Sequence, residues 1–172
     1  GPRGEHHALF PATEKCFKWV MYRRILVDHL PTLSRPVAIP QAEAHHVVNV
    51  LRLGEGDILE AIDPKGAGTL VVLTFKNDIA HVVPLNPAAE PKKALDLHPI
   101  TLEIALVKKP QFQSILEKAV ELGIDQLQPV LTERSIVRVE RGEEEKFREK
   151  WQHTADQSLK QSGRLKRLEI LP

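Results

Sequence analysis

The stretch ITLEIALVKKPQFQSILEKAVELGIDQLQPVL, residues 100–131, decides the fold class of this chain. It opens with an apolar run over residues 100–107, which is typical of a buried strand. From Pro110 onward the apolar residues recur at helical spacing, and Gly123 marks the end of that helix. A second apolar run follows at residues 127–131. The stretch therefore predicts a strand, a helix and a second strand that runs parallel to the first.

The same alternation continues toward the last residue. A short strand is possible over residues 135–139, and a second helix is predicted over about residues 143–162, with Gly163 after it. Residues 168–171 start a third strand. Residues 97–172 thus read as β-α-β-α-β, which is about half of an open α/β domain. We expect this domain to be incomplete, because parallel sheets normally have both faces covered.

The residues before this domain have a different period. Residues 21–90 contain short β runs separated by turn residues, which predicts a small β-barrel. The predicted runs cover residues 22–28, 57–62, 69–75 and 79–83. A Pro/Ala/Lys stretch over residues 87–93 is typical of a linker, and residues 1–20 are interpreted as an irregular leader.

One helix interrupts the β runs. It follows Pro40 over residues 41–51, with Gly54 and Gly56 expected to end it. The face opposite its apolar residues carries the polar side chains of His45, His46, Asn49 and Arg52. Adjacent histidines diverge by about 100° and lack the i, i+4 spacing of helical metal ligands, so no metal site is predicted. The face suits either contact with a phosphate backbone or ordinary exposure to solvent.

The charge balance limits where a nucleic acid could bind. The chain has 24 basic and 23 acidic residues, so any such site must be a local patch. Two patches stand out, namely Arg23-Arg24 and the cluster formed by Lys160, Arg164, Lys166 and Arg167, which have no acidic neighbours in sequence. Either patch is equally consistent with an ordinary solvated surface.

Several other classes of site are excluded or left open. A single cysteine rules out an internal disulfide and a thiolate zinc cluster, and no apolar run is long enough to span a membrane, so a cytoplasmic protein is expected. Gly66-Ala67-Gly68 lacks a third glycine and is interpreted as a hairpin turn. Arg134 follows the strand at 127–131, where it could grip a phosphate or form a structural ion pair.

Taken in order, these pieces resemble a known family, the bacterial ribosomal RNA small-subunit methyltransferase E family, which methylates N3 of a uridine in 16S rRNA. The resemblance runs from residue 21 to residue 172. It rests on seven motifs, which are Arg23-Arg24, Ala44-His45-His46 with Val50-Leu51-Arg52, Gly56-Asp57, the segment 117–123, Thr132-Glu133-Arg134-Ser135, Trp151 and Gln161-Ser162-Gly163-Arg164.

The resemblance implies a PUA-like RNA-binding barrel, a SPOUT-type domain with a trefoil knot, a homodimer, and S-adenosylmethionine as methyl donor. It implies that the small ribosomal subunit is the partner, that no metal or membrane is involved, and that Arg134 and Arg164 face the catalytic cleft. The RNA-contacting residues of the barrel would be Arg23, Arg24, His45, His46 and Arg52.

The chain also departs from the family pattern. Lys160 stands where the family usually carries an acidic residue, and the Gly-Pro-Glu-Gly-Gly loop that holds the cofactor is missing. We therefore expect no cofactor-binding residues and no turnover in these 172 residues, and we identify no catalytic base. The alternative is a non-catalytic RNA-binding module. A nucleotide-binding Rossmann half-domain is disfavoured, because no glycine fingerprint follows residues 100–107.

Overall fold

A computed structural model describes residues 22–94, 99–135 and 137–172, so the predicted leader lies outside the described residues. The described part contains two sheets, three α-helices and one π-helical turn. In chain order the elements are β1 (Arg23–Leu26), β2 (Val37–Ala38), α1 (Gln41–His45), the π-helical turn (His46–Val50), β3 (Ile58–Ile62), β4 (Ala67–Lys76), β5 (Ile79–Pro84), β6 (Lys92–Lys93), β7 (Thr101–Ala105), α2 (Lys109–Leu122), β8 (Gln126–Val130), α3 (Glu144–Ser162) and β9 (Glu169–Ile170).

The first sheet has the strand order β1-β3-β4-β5-β2, and β6 pairs with β4. The predicted meander is confirmed for β3, β4 and β5, which pair antiparallel in sequence order. The prediction missed that β1 runs parallel to β3 and that β6 forms inside the predicted linker. The described strands of this sheet pair along an open path rather than a closed ring. We therefore describe the region as a six-stranded mixed sheet.

The tight turns of this sheet follow from local chemistry. Asn77 and Asp78 adopt positive φ angles of 51° and 61°, as a two-residue hairpin requires. At the β3–β4 turn the Asp63 carboxylate accepts hydrogen bonds from two backbone N–H groups at 2.9 Å. Gly66 has φ 80°, and a Cβ there would lie 3.3 Å from the Cα of Lys166. Glycine at position 66 thus permits both the turn and its close contact with the second domain.

The helix predicted over residues 41–51 divides into α1 and the π-helical turn. Its apolar face packs as predicted, since Val47 is fully buried and Ala44 and Val48 contact the same core. The predicted span is confirmed to within one residue, because the π-helical turn ends at Val50. The left-handed residue after it is Arg52, with φ of 55°, rather than the predicted Gly54.

The second sheet has the order β7-β8-β9, and all pairs are parallel. This confirms the predicted β-α-β-α-β order, and left-handed glycines with φ of 76° and 72° end α2 and α3. One face packs on the two helices through a single apolar core. The described residues of the stretch 135–139 form a loop and not the predicted strand. Val137 and Val139 pack against that core from this loop.

The other face of this sheet is polar. Thr101 donates to the Gln126 amide oxygen at 3.1 Å, and the Gln126 amide donates to the Glu169 carboxylate at 3.0 Å. Parallel sheets are normally apolar on both faces. Here the two helices leave one face uncovered, and its side chains are polar and hydrogen-bond to one another. Among the described helices, none combines the length and apolar character needed to cross a membrane.

Candidate nucleic-acid interface

His45 ends α1, His46 begins the π-helical turn, and Arg52 follows that turn; the side chains of all three are exposed. We call them the α1 face. The π-helical turn is closed by a hydrogen bond from the Leu51 N–H to the His46 carbonyl at 2.9 Å. No ion pair involves these three side chains within the described part of the chain, and no cluster suited to a metal ion occurs there. Positively charged or neutral donors held in this way can contact phosphate oxygens.

The two adjacent arginines of β1 have different environments, because successive side chains of a strand point to opposite faces. Arg23 is exposed. The Arg24 side chain is only 5% exposed and forms an ion pair with Glu60 at 2.8 Å. It also donates to the backbone carbonyls of Leu159 at 2.7 Å and Arg164 at 2.6 Å, both at the end of α3. The Arg24 guanidinium therefore joins the two domains, and these contacts use three of its five N–H donors.

A second ion pair joins the domains nearby. Lys160, the residue that departs from the family pattern, binds the Glu43 carboxylate at 2.5 Å, and their side chains are 10% and 15% exposed. The other Glu43 oxygen lies 3.5 Å from the Leu26 N–H. Because Glu43 belongs to α1 and Lys160 to α3, this pair fixes the α1 face relative to the second domain. We call the contacts of Arg24 and Lys160 the domain seam.

The basic cluster near the end of α3 is paired in the folded chain. Lys166 binds Asp125 at 2.6 Å, and Arg167 binds the buried Asp156 through two hydrogen bonds of 2.7 and 2.5 Å. Arg164 donates to the Glu121 carbonyl at 3.1 Å. The sequence showed no acidic neighbours for these residues because their partners are distant along the chain. Three of the four cations are therefore paired with carboxylates, whereas Arg164 is exposed and donates to a backbone carbonyl.

Two of these pairs shift the pKa of their members. Burial acts to raise the pKa of Asp125, but hydrogen bonds from Lys166 and from the Ile100 N–H, with the Lys166 charge, outweigh it. The net pKa of Asp125 is therefore lowered. The hydrogen bond to Asp156 raises the pKa of Arg167 against the opposing effect of burial. Both groups are thus held in their charged forms.

Arg134 and Arg164 lie toward opposite ends of the strands of the second sheet. Arg134 follows the carboxyl end of β8 and is exposed. The Arg164 guanidinium lies beside Gly123, three residues before the start of β8. The five residues of β8 span about 16 Å and separate these two segments of the backbone.

An apolar crevice opens at the carboxyl edge of the same sheet. It has a volume of about 220 Å³ and is lined by Leu106, Pro129 and Leu131 after the strands and by Phe147 and Trp151 of α3. The Phe147 and Trp151 rings pack with their centroids 5.6 Å apart. In open α/β sheets this edge is where ligands bind.

Comparison with known proteins agrees with both parts of the chain. Residues 39–75 match the model of an RNA methyltransferase PUA domain, and residues 94–172 match that of an RNA methyltransferase domain. The ribosomal RNA small subunit methyltransferase E of Synechocystis is 32% identical over 90% of this chain and 49% of its own length. That of Bacillus subtilis is 29% identical over 80% of this chain and 52% of its own.

A solved structure extends the similarity to three dimensions. The ribosomal RNA small subunit methyltransferase E of Neisseria gonorrhoeae, bound to S-adenosyl methionine, aligns with a TM-score of 0.74 at 26% identity. The alignment covers 88% of this chain and 62% of that one, so the chain spans about half to two thirds of its relatives' length. The two matched domains, in the order that the sequence predicted, make this chain similar to RNA methyltransferases over most of its length, and to ribosomal RNA small subunit methyltransferases E in particular.

Proposed function

We propose that this protein is a cytoplasmic, S-adenosylmethionine-dependent methyltransferase that modifies N3 of a uridine in 16S rRNA of the small ribosomal subunit. The observation that carries the proposal is the α1 face, whose exposed basic and imidazole groups have no partner in the described part of the chain. The domain seam holds this face rigidly against a methyltransferase domain. RNA bound there would be held in register with that domain, and positioning is a major source of catalysis.

The domain boundaries belong to the same proposal. We assign residues 21–90 to a PUA-like barrel and residues 97–172 to the first part of a SPOUT-type domain that carries a trefoil knot. The first assignment rests on the predominantly antiparallel six-stranded sheet, which is the β-rich part of the chain, and on the match of residues 39–75 to an RNA methyltransferase PUA domain. The parallel β7-β8-β9 sheet with both connecting helices on one face supports the second assignment.

The methyl donor fits the described residues only in part. The crevice at the carboxyl edge offers aromatic and aliphatic walls, but its 220 Å³ is below the range of about 300–1,000 Å³ that encloses a ligand of this size. When bound, S-adenosylmethionine would supply the methyl group to N3, whose proton would pass to solvent. The α1 face would bind and orient the RNA.

The positions of Arg134 and Arg164 support a homodimer. The family resemblance implies that both side chains face one catalytic cleft, and in this chain they lie toward opposite ends of β8. A second copy would place Arg134 of one subunit opposite Arg164 of the other. Closed two-fold dimers are the commonest way to complete a site of this kind.

The test has two arms. A version of the chain extended to the full length of its curated relatives is incubated with unmodified small subunits and radiolabelled donor. It should incorporate about one methyl group per 16S rRNA, mapped by nuclease digestion and mass spectrometry. The 172-residue chain alone should bind 16S rRNA in a filter assay without transferring a methyl group, because its crevice is too small for the donor. RNA binding without methyl transfer by the extended version would favour the non-catalytic RNA-binding module instead.

A further inference from the structure

A cleft of about 620 Å³ lies between the two domains, beside the domain seam but away from the carboxyl edge of the second sheet. Tyr22, Leu70 and Leu85 form its wall on the first sheet, and Lys160, Gln161 and Gly163 form its wall at the end of α3. Its volume is within the usual range for small-ligand sites, which occur preferentially between domains. Nothing in the proposed methyl transfer accounts for it.

The charged groups at the base of the cleft are already neutralised. Arg24 is paired with Glu60, and Lys160 is paired with Glu43. A phosphate placed there would have to compete with the Glu60 and Glu43 carboxylates for these two cations. The base of the cleft therefore suits a flat, uncharged group rather than an anion.

Several of the remaining lining groups match the parts of a nucleotide, and the exposed Glu90 also lines the cleft, two residues before Lys92. The half-buried Tyr22 offers an aromatic ring for stacking, and Leu70 and Leu85 add apolar surface. Gln161 is exposed, and its amide, which can both donate and accept, makes no hydrogen bond within the described residues. Lys92 lines the cleft from β6 with its side chain exposed, where an ammonium can meet a phosphate.

From this arrangement we propose that the interdomain cleft binds one unstacked nucleotide of the RNA, with its base against Tyr22 and its phosphate beside Lys92. The inference rests on the proposed function and deepens it. Proteins that read RNA commonly splay bases out of the strand and stack them on aromatic side chains. A nucleotide held here would join the α1 face and the methyltransferase domain along one RNA path.

Photocrosslinking of the unaltered chain is the first test. A 16S rRNA transcript containing scattered 4-thiouridine is irradiated with the chain, and crosslinked tryptic peptides are identified by mass spectrometry. We expect crosslinks on the peptides that contain Tyr22 or Gln161. Crosslinks confined to the α1 face would overturn the cleft inference and leave the proposed function intact, whereas a chain that binds no RNA would overturn both.

Affinity measurements form the second test. Tyr22→Ala should weaken RNA binding about tenfold, because stacking on one aromatic side chain typically contributes that much. Tyr22→Phe keeps the ring and should bind within about twofold of the unaltered chain. Leu33→Ala, at an exposed position that does not line the cleft, serves as the control. Equal affinity of the Tyr22→Ala variant and the control, with both shown to be folded by circular dichroism, would overturn the proposal.

Discussion

The domain seam and the α1 face both contain basic residues, which the sequence alone does not distinguish. In the structure they differ in burial and in ion pairing. Arg24 and Lys160 are buried, and each meets a carboxylate from a distant part of the chain. His45, His46 and Arg52 are exposed and meet none within the described residues. The difference teaches that a basic residue indicates an RNA site only when the fold leaves it unpaired, and this can be tested by substituting each group separately.

The largest effect is expected at Arg24. Arg24→Ala should lower the free energy of unfolding by about 3 kcal/mol, since it leaves the Glu60 carboxylate and two backbone carbonyls without their donor. Urea unfolding monitored by circular dichroism measures this. The control is the exposed neighbour, as Arg23→Ala should change stability by no more than about 0.5 kcal/mol. Similar losses in the two variants would remove the distinction between the arginines.

The second ion pair of the domain seam should give the next largest effect. Lys160→Glu places two carboxylates together and should cost about 2 kcal/mol. The exchange of both residues, Lys160→Glu with Glu43→Lys, should recover at least about 1 kcal/mol of that loss. A double-mutant cycle from urea unfolding measures the coupling. An exchange no more stable than the single variant would mean that the contact is too weak to fix the domains.

The α1 face should affect binding instead of stability. Replacing His45 and His46 by Ala and Arg52 by Gln should weaken 16S rRNA binding about tenfold and flatten its salt dependence by about one unit per lost phosphate contact. Unfolding should be unchanged within about 0.5 kcal/mol. Filter binding at several salt concentrations tests this, with Lys118→Gln on the exposed side of α2 as the control. Unaltered affinity would remove the assignment of this face.

The smallest effect concerns Asp125, one of the carboxylates that neutralise the basic cluster. Its pKa is lowered in the folded state, so its contribution is present above the ordinary value of 3.8 and lost as the pH falls through the folded pKa. Asp125→Asn should cost about 1 kcal/mol at neutral pH. The difference from the unaltered chain should shrink when urea unfolding is repeated near pH 3. A difference independent of pH would show that the Lys166 pair contributes nothing.

The parts of the fold that depend on residues close together in the sequence could be predicted. Helical periodicity placed α2 and α3, and the glycines after them adopt the left-handed conformation that such positions need. The two-residue strands β2 and β6 were missed because their pairing partners, not their own composition, make them strands. The Arg52 conformation was missed because the π-helical turn before it has no distinct sequence signal.

The candidate site was harder to predict for the same reason. Helical spacing predicted that His45, His46 and Arg52 share a face, and the structure leaves each of them exposed, with Arg52 beyond the end of the π-helical turn. The pairing of Arg24 with α3 spans 135 and 140 positions of sequence, and that of Lys160 with Glu43 spans 117. No local pattern reports such contacts. Whether a cation is free is therefore a property of the tertiary structure.

The pairing of the basic cluster also bears on how fast the protein finds its target. With a net charge of +1, and with these cations matched by carboxylates, the molecule projects little long-range field toward a polyanion. Its encounters with RNA would then proceed near the unsteered rate of about 10⁵–10⁶ M⁻¹s⁻¹ rather than near the diffusion limit. The same weak field would also bind the protein less tightly to RNA that lacks its site. Such a protein samples many transcripts briefly and stays only where the local fit is good.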